Sequence, residues 1–321
     1  MKKIVVTTRK KDTKKIKSVL KDTFYALEEE GNLIIVNVYV HDAELDSIIG
    51  KLGDTIDLRH KESMIEVYTP DFMISPVLSR SEDKARLEEK TPVEKLIGST
   101  RPHVRLDASK IALTSVAGMV ALTGLFLDNV AIIIGAMLLS PLLGPIYAFA
   151  INTAVGNVRY VFRSLINLCV LLVMVIFFAF LTTFILSHFL ELELTPEILA
   201  RMDANLIYIL MAVFLGFASI FALSKDISES IAGVAIAAAL LPPAVVTGIC
   251  LVLHPAKAAH PLVLTLENVL GLMGGSLLAT LVLDIEPRRH YRRTVARRII
   301  VRISLILIIF LGLLCVSSWL L

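Results

Sequence analysis

Apolar positions along the chain change their period near residue 75. Before it, Lys3 to Val6 and Leu33 to Val40 alternate or run as β-branched blocks, while Lys14 to Leu20 and Ala43 to Leu52 repeat apolar residues at helical spacing. The order predicted is β-α-β-β-α-β. A strand at KIVV leads to the helix DTKKIKSVL with Asp12 as its N-cap. A hairpin turning at Glu30-Gly31-Asn32, the helix AELDSIIGKL and a last strand near MIEVYT complete it. This is the split βαβ, ferredoxin-like plan, assigned to an N-terminal α+β domain over residues 1–75.

Beyond it the apolar runs become long enough to cross a bilayer, which takes about 20 residues as a helix. Seven spans are expected: Ala108–Leu127, Val130–Asn152, Leu165–Leu186, Leu206–Leu223, Ile231–Leu253, Leu262–Leu283 and Ile303–Leu321, with Trp319 as an interfacial anchor. Residues 76–107 read as a linker helix, Ser79 to Lys90, followed by an interfacial elbow, and Asp107 as the cap of the first span. Residues 108–284 form the transmembrane domain, and 285–321 a basic loop with the seventh helix.

One of these runs cannot be a continuous helix. In GAMLLSPLLGPI, Gly135 to Ile146, Pro141 and Pro145 carry no amide hydrogen, so carbonyls near Met137 and Pro141 lose their partners. Unpaired backbone groups cost several kcal/mol each in lipid, so such a break belongs inside the protein. A second stretch, AAALLPPAVVTG, Ala237 to Gly248, aligns with the first at an offset of 102 residues. Ile134, Ala136, Leu138, Leu139 and Pro141 match Ile236, Ala238, Leu240, Leu241 and Pro243. A second broken span is therefore expected at Pro242 and Pro243. Asn167 and Asn268 form a weaker match, at an offset of 101, in the helices that follow. Three spans per unit is an odd number, so the units enter the membrane from opposite faces as an inverted repeat.

Composition agrees with a membrane protein: 56% of the 321 residues are hydrophobic and the mean hydropathy is +0.75. Charge is uneven. Residues before Ile111 hold 20 of the 32 Lys and Arg and 19 of the 29 Asp and Glu. Later basic residues, Arg159, Arg163, Lys225 and the run from Arg288 to Arg298, all fall on one face of the seven-span topology, together with the N-terminal domain. The positive-inside rule makes that face cytoplasmic, places the C-terminus outside and assigns the chain to the cell membrane. MKKIVVTTRKK has no apolar core of a signal peptide.

The chemistry on offer is that of binding. HExxH, GxSxG and Walker patterns are missing, the seven histidines are scattered and the three cysteines lie in or at the end of apolar spans, so neither an enzyme nor a metal site nor a nucleic-acid partner is expected. Discontinuous helices in corresponding places point to a transporter's solute site. The candidate solute-binding residues are Ser140, Pro141, Gly144, Pro145, Pro242, Pro243, Thr247, Gly248, Asn167 and Asn268. Glu267, the single acidic residue well inside a span, is a proton-coupling candidate, with a structural hydrogen bond as the alternative. Asp226 and Glu229 cap the fifth span or line an inner vestibule. On the N-terminal domain, Arg9, Lys10, Lys11 and Lys14 offer a weaker site for an anionic ligand such as a nucleotide, or form a solvated face.

At GAMLLSPLLGPI, IAAALLPPAVVTGI and LENVLGL the chain resembles the uncharacterised membrane proteins of the domain-of-unknown-function-389 family, with its GAML-x-x-PL-x-GP and later A-x-x-PP segments. The resemblance covers roughly Leu106 to Asp284 and implies a hydrophobic membrane protein, with no cofactor, substrate or site attached. The expected function is a transporter or permeation protein for a small ion or polar solute, acting as a homo-oligomer in the bilayer. The alternative is a ligand-gated channel or membrane sensor regulated through the N-terminal domain.

Overall fold

The computed structural model describes residues 2–68, apart from 22, 41, 58 and 59, and 93–320, apart from 203–205, 226, 286, 288 and 289. The expected linker helix Ser79 to Lys90 lies outside the described residues, as do Asp226 and the side chain of Trp319. The chain divides into two compact units, Met1–Pro92 and Val93–Leu321.

In the first unit β1 (Lys2–Arg9), α1 (Thr13–Val19), β2 (Tyr25–Glu30), β3 (Leu33–Val40), α2 (Asp42–Thr55) and β4 (Met64–Tyr68) follow in that order. The strands form one antiparallel sheet, β2-β3-β1-β4, with Val6 opposite Val36 and Ile65. Alternation puts Ile4, Val6, Ile34, Val36 and Val38 on one face, where they join Ile16 and Leu20 around α1 and Leu45 and Leu52 of α2 in a single core. Gly31 takes φ +61° in the β2–β3 turn, a backbone region open to glycine. Asp12 occupies the N-cap of α1, but its side chain makes no capping hydrogen bond.

The second unit is helical. It comprises α3 (Val93–Val104), α4 (Ala108–Phe126), α5 (Val130–Leu139), α6 (Leu143–Ala154), α7 (Val158–Leu186), the short α8 (Pro196–Leu199), α9 (Leu206–Ser224), α10 (Glu229–Leu253), α11 (Ala259–Val282) and α12 (His290–Leu320). Among the described residues, six of its helices are long and apolar enough to cross a membrane, and α5 with α6 make a seventh span if the bent pair counts as one. Asp107 caps α4 through the Lys110 amide at 3.0 Å, and Asn129 caps α5 through the Ala131 and Ile132 amides.

Glycines set the closest helix approaches. A Cβ on Gly275 would lie 1.9 Å from the Val213 carbonyl oxygen, and one on Gly216 2.2 Å from that of Leu272, so α9 and α11 pack backbone to backbone. Gly248 does the same for α10 and α7, where a Cβ would lie 2.6 Å from the Ala179 Cβ.

The two proline segments behave differently. Ser140, held extended at ψ 120° by the proline after it, ends α5. The chain then restarts as α6, with Pro145 in its first turn where a missing amide is harmless, and the axis bends by 51°. The break expected at Pro242 and Pro243 is absent: α10 runs unbroken from Glu229 to Leu253. Adjacent prolines strip donors from the neighbouring Ala238 and Ala239 carbonyls, and the Asn268 Nδ2 donates to the Ala239 oxygen at 2.8 Å. A side chain replaces the lost backbone donor, and the helix continues.

Candidate functional site

The second half of the interrupted span is enclosed by protein, whereas α5 leaves Ile134, Leu138 and Leu139 exposed. Every residue of α6 is buried, and so are Ser140 and Leu142 at the break. The Met137 carbonyl, deprived of Pro141 as donor, accepts from the Ser140 amide at 3.3 Å. No side chain caps α6 at Leu142, so the first-turn amides of Leu143 and Gly144 have no partner within the helix. The buried Ser140 hydroxyl has no hydrogen-bond partner either. A helix N-terminus and an uncommitted hydroxyl thus share one buried turn, an arrangement that favours partial negative charge.

The other face of this turn is built by α3, which sequence reasoning assigned to a linker and elbow. Leu96, Thr100 and Val104 are buried at helical spacing, and Ser99 and Tyr147 share a hydrogen bond of 2.8 Å. The same spacing brings His103 round to Gly144. A Cβ on Gly144 would lie 2.5 Å from the His103 Nδ1 and 3.0 Å from its Cγ, so the imidazole fills the space a side chain would take. The edge of the ring meets Tyr147, with centroids 6.2 Å apart, and its Nε2 lies 3.8 Å from a Glu229 carboxylate oxygen. Burial holds His103 below the usual imidazole range; Glu229 opposes this and the Lys110 charge adds to it.

Lys110 and Asn167 fasten the end of α3. The Lys110 ammonium donates to the carbonyls of Pro102 and Arg105, and the Asn167 amide to those of Val104 at 2.9 Å and His103 at 3.3 Å. Asn167 therefore serves the α3 terminus and not the break, whereas its sequence counterpart Asn268 serves the proline gap of α10. The match in sequence hides two different tasks.

The remaining candidates scatter. The Thr247 hydroxyl is taken by the Pro243 carbonyl of its own helix at 2.9 Å, and Gly248 is a packing glycine. On α10, Gly233 faces Leu143, nine positions before Pro242 and so about 14 Å from it along the helix axis at ~1.5 Å per residue. Ser140, Pro141, Gly144 and Pro145 thus form a local group, while Pro242, Pro243, Thr247 and Asn268 form another. Glu267 is 1% exposed, and neither carboxylate oxygen has a hydrogen-bond partner. Its helix, α11, packs against α6. An open groove lined by Val173, Ile176, Phe177, Phe180 and Leu251 is wholly apolar and offers nothing to a polar solute.

In the N-terminal unit, two of the four cations are committed. Arg9 pairs with Glu62 at 2.7 Å and Lys10 with Glu29 at 2.5 Å, which leaves Lys11 and Lys14 as exposed members of the expected anion site. Among the described residues no group of His, Cys, Asp and Glu is arranged to hold a metal ion.

His103 and Tyr147 are the functional candidates that sequence reasoning missed. Ser99 and His103, one turn apart beside Pro102, were the available signal. The chain is a polytopic helical membrane protein with a small antiparallel sheet in its N-terminal unit. Residues 137–274, from the end of α5 into α11, match the family model described as Domain of unknown function (DUF389). It is similar to an uncharacterized protein of Methanocaldococcus jannaschii, 26% identical over 236 residues, which are 73% of this chain and 72% of that relative. No solved structure matches it significantly.

Proposed function

We propose that the chain is a membrane transporter or permeation protein for a small ion or polar solute, with its site at the break between α5 and α6. The observation that carries this reading is the buried Ser140 hydroxyl, left without a partner beside the first turn of α6, which no side chain caps. Irregular backbone at membrane depth persists where it lines a cavity or is held by protein, and a hydroxyl aimed only at packing would have found a carbonyl, as Thr247 does. Glu267 is the coupling group in this reading, a buried acid on a helix packed against α6.

Helix pairing supports an inverted repeat of α4 to α7 and α9 to α11 in spite of the unbroken α10. The middle span of each unit packs on the third helix of the other, α10 on α7 and α6 on α11. With the basic loops inside, the N-terminal unit is cytoplasmic, built on the ferredoxin-like plan, and the C-terminus is outside the cell membrane. The exposed apolar length of α12, including Ile308, Phe310 and Leu313, supplies a surface for homo-oligomer contacts. The chain acts on no covalent bond. The sensor alternative keeps two exposed cations on the N-terminal unit, Lys11 and Lys14, since Arg9 and Lys10 are paired.

Flux into liposomes holding the purified protein tests the reading. Gradients of sodium, potassium, chloride, phosphate, acetate and glycine are applied in turn. Saturable flux of one of them, reduced several-fold by Ser140→Ala, is expected; absence of protein-dependent flux for every solute counts against it.

A further inference from the structure

We propose that His103 is a gating residue: its imidazole plugs the buried turn between α5 and α6 on the side where α3 ends and α10 begins. The inference concerns access to the break and stands whether or not a solute binds there.

Three observations carry it. The ring occupies the volume over Gly144 that any other residue would fill with its own side chain, since a Cβ there would fall 2.5 Å from Nδ1 and 3.2 Å from the His103 Cβ. Gly144 belongs to the first turn of α6, three residues after Pro141 and four after the buried, unpartnered Ser140 hydroxyl. The ring also faces the opposite way: its Nε2 lies 3.8 Å from Glu229, whose side chain is 57% exposed. One imidazole therefore spans from the closed turn to a solvated carboxylate.

The plug is mounted on a fastened support. Lys110 and Asn167 tie down the carbonyls at the end of α3, and Ser99 ties α3 to Tyr147 on α6. The mount is held by side-chain hydrogen bonds, four of them to backbone carbonyls. The ring itself is held by contact with Gly144, by the edge of Tyr147 and by the Glu229 carboxylate. Rotation about its side-chain bonds clears the turn without moving the helix.

The test reads access directly. In the full chain, with Cys169, Cys250 and Cys315 replaced by alanine, Ser140→Cys is labelled by a membrane-impermeant, positively charged thiol reagent. The reagent is added either to the side bearing the N-terminal unit or to the opposite side. With His103 in place, labelling from the N-terminal side is slow. His103→Ala is expected to raise that rate at least tenfold and leave the opposite rate unchanged. Gly144→Ala, which pushes the ring off its seat and keeps the imidazole in the chain, should raise it as well and decides the matter alone if His103→Ala does not purify folded. Equal rates in parent and variants overturn the proposal. So does an equal rise from both sides, which marks a loosened fold in place of an opened path.

Discussion

The Asn268 amide donates to the Ala239 carbonyl at 2.8 Å, across 29 residues of sequence, and stands where the missing N–H of Pro243 would have stood. Asn268→Leu should therefore lower stability by about 1–3 kcal/mol, the range for an unpaired buried carbonyl. The same substitution in a Pro243→Ala background should cost less, because the backbone then supplies the donor. Thermal unfolding of the four variants in a double-mutant cycle measures the difference. Equal costs in both backgrounds would detach Asn268 from the proline gap.

Neighbouring glycines give a sharper contrast. Gly275→Ala drives a methyl into the Val213 carbonyl at 1.9 Å, whereas a Cβ on Gly274 meets nothing within 4 Å. The first change should destabilise by about 1–3 kcal/mol, as overpacking does, and the second by almost nothing. Melting temperatures of the two variants in detergent check this.

Acid should open the plug. Burial lowers the pKa of His103, against the pull of Glu229 and with the push of Lys110; Tyr147 is the other titratable side chain against the ring. With the pKa below the free value near 6.5 in the seated state, the unseated ring binds more protons. The seated state is thus fully favoured above about pH 6.5 and weakens as pH falls through that value toward the lowered pKa. Measured relative to a free thiol at the same pH, whose thiolate fraction falls on acidification, labelling of Ser140→Cys from the N-terminal side should accelerate as pH falls below about 6.5, and His103→Gln should flatten that dependence. A profile identical in the two proteins would remove His103 from the response.

Much of this architecture was legible in the chain itself. Long apolar runs announced the spans, and Asp107 caps its helix where local spacing put it. The break at Pro141 was readable because Ser140, Pro141 and Pro145 act on their own backbone. The fate of Pro242 and Pro243 was not, since it depends on an amide in another helix. His103 escaped notice for a similar reason: its meaning lies in Gly144, 41 positions away, and a lone histidine in an amphipathic helix carries no pattern. The pairing of the basic cluster was hidden in the same manner, as the Arg9 and Lys10 partners come from another strand and a turn.

The two hydroxyls first grouped together should now separate. Ser140→Ala removes an uncommitted group at the break and should weaken solute flux several-fold. Thr247→Val removes one already spent on the Pro243 carbonyl and should leave flux within about twofold, with a stability change near 1 kcal/mol. Initial rates in liposomes distinguish them; an equal loss in both would restore Thr247 to the site.

The central claim, that the break between α5 and α6 holds a solute, is tested most directly by ligand-dependent thermal stability of the purified full chain and of Ser140→Ala. Inorganic ions, carboxylates, amino acids and nucleotides are screened at concentrations up to tens of millimolar. A ligand that binds only the folded protein raises its melting temperature by mass action. The account predicts that at least one of these raises it, and that the rise shrinks in Ser140→Ala while the ligand-free melting temperature stays the same. A rise of equal size in both proteins, or none with any ligand, would contradict it.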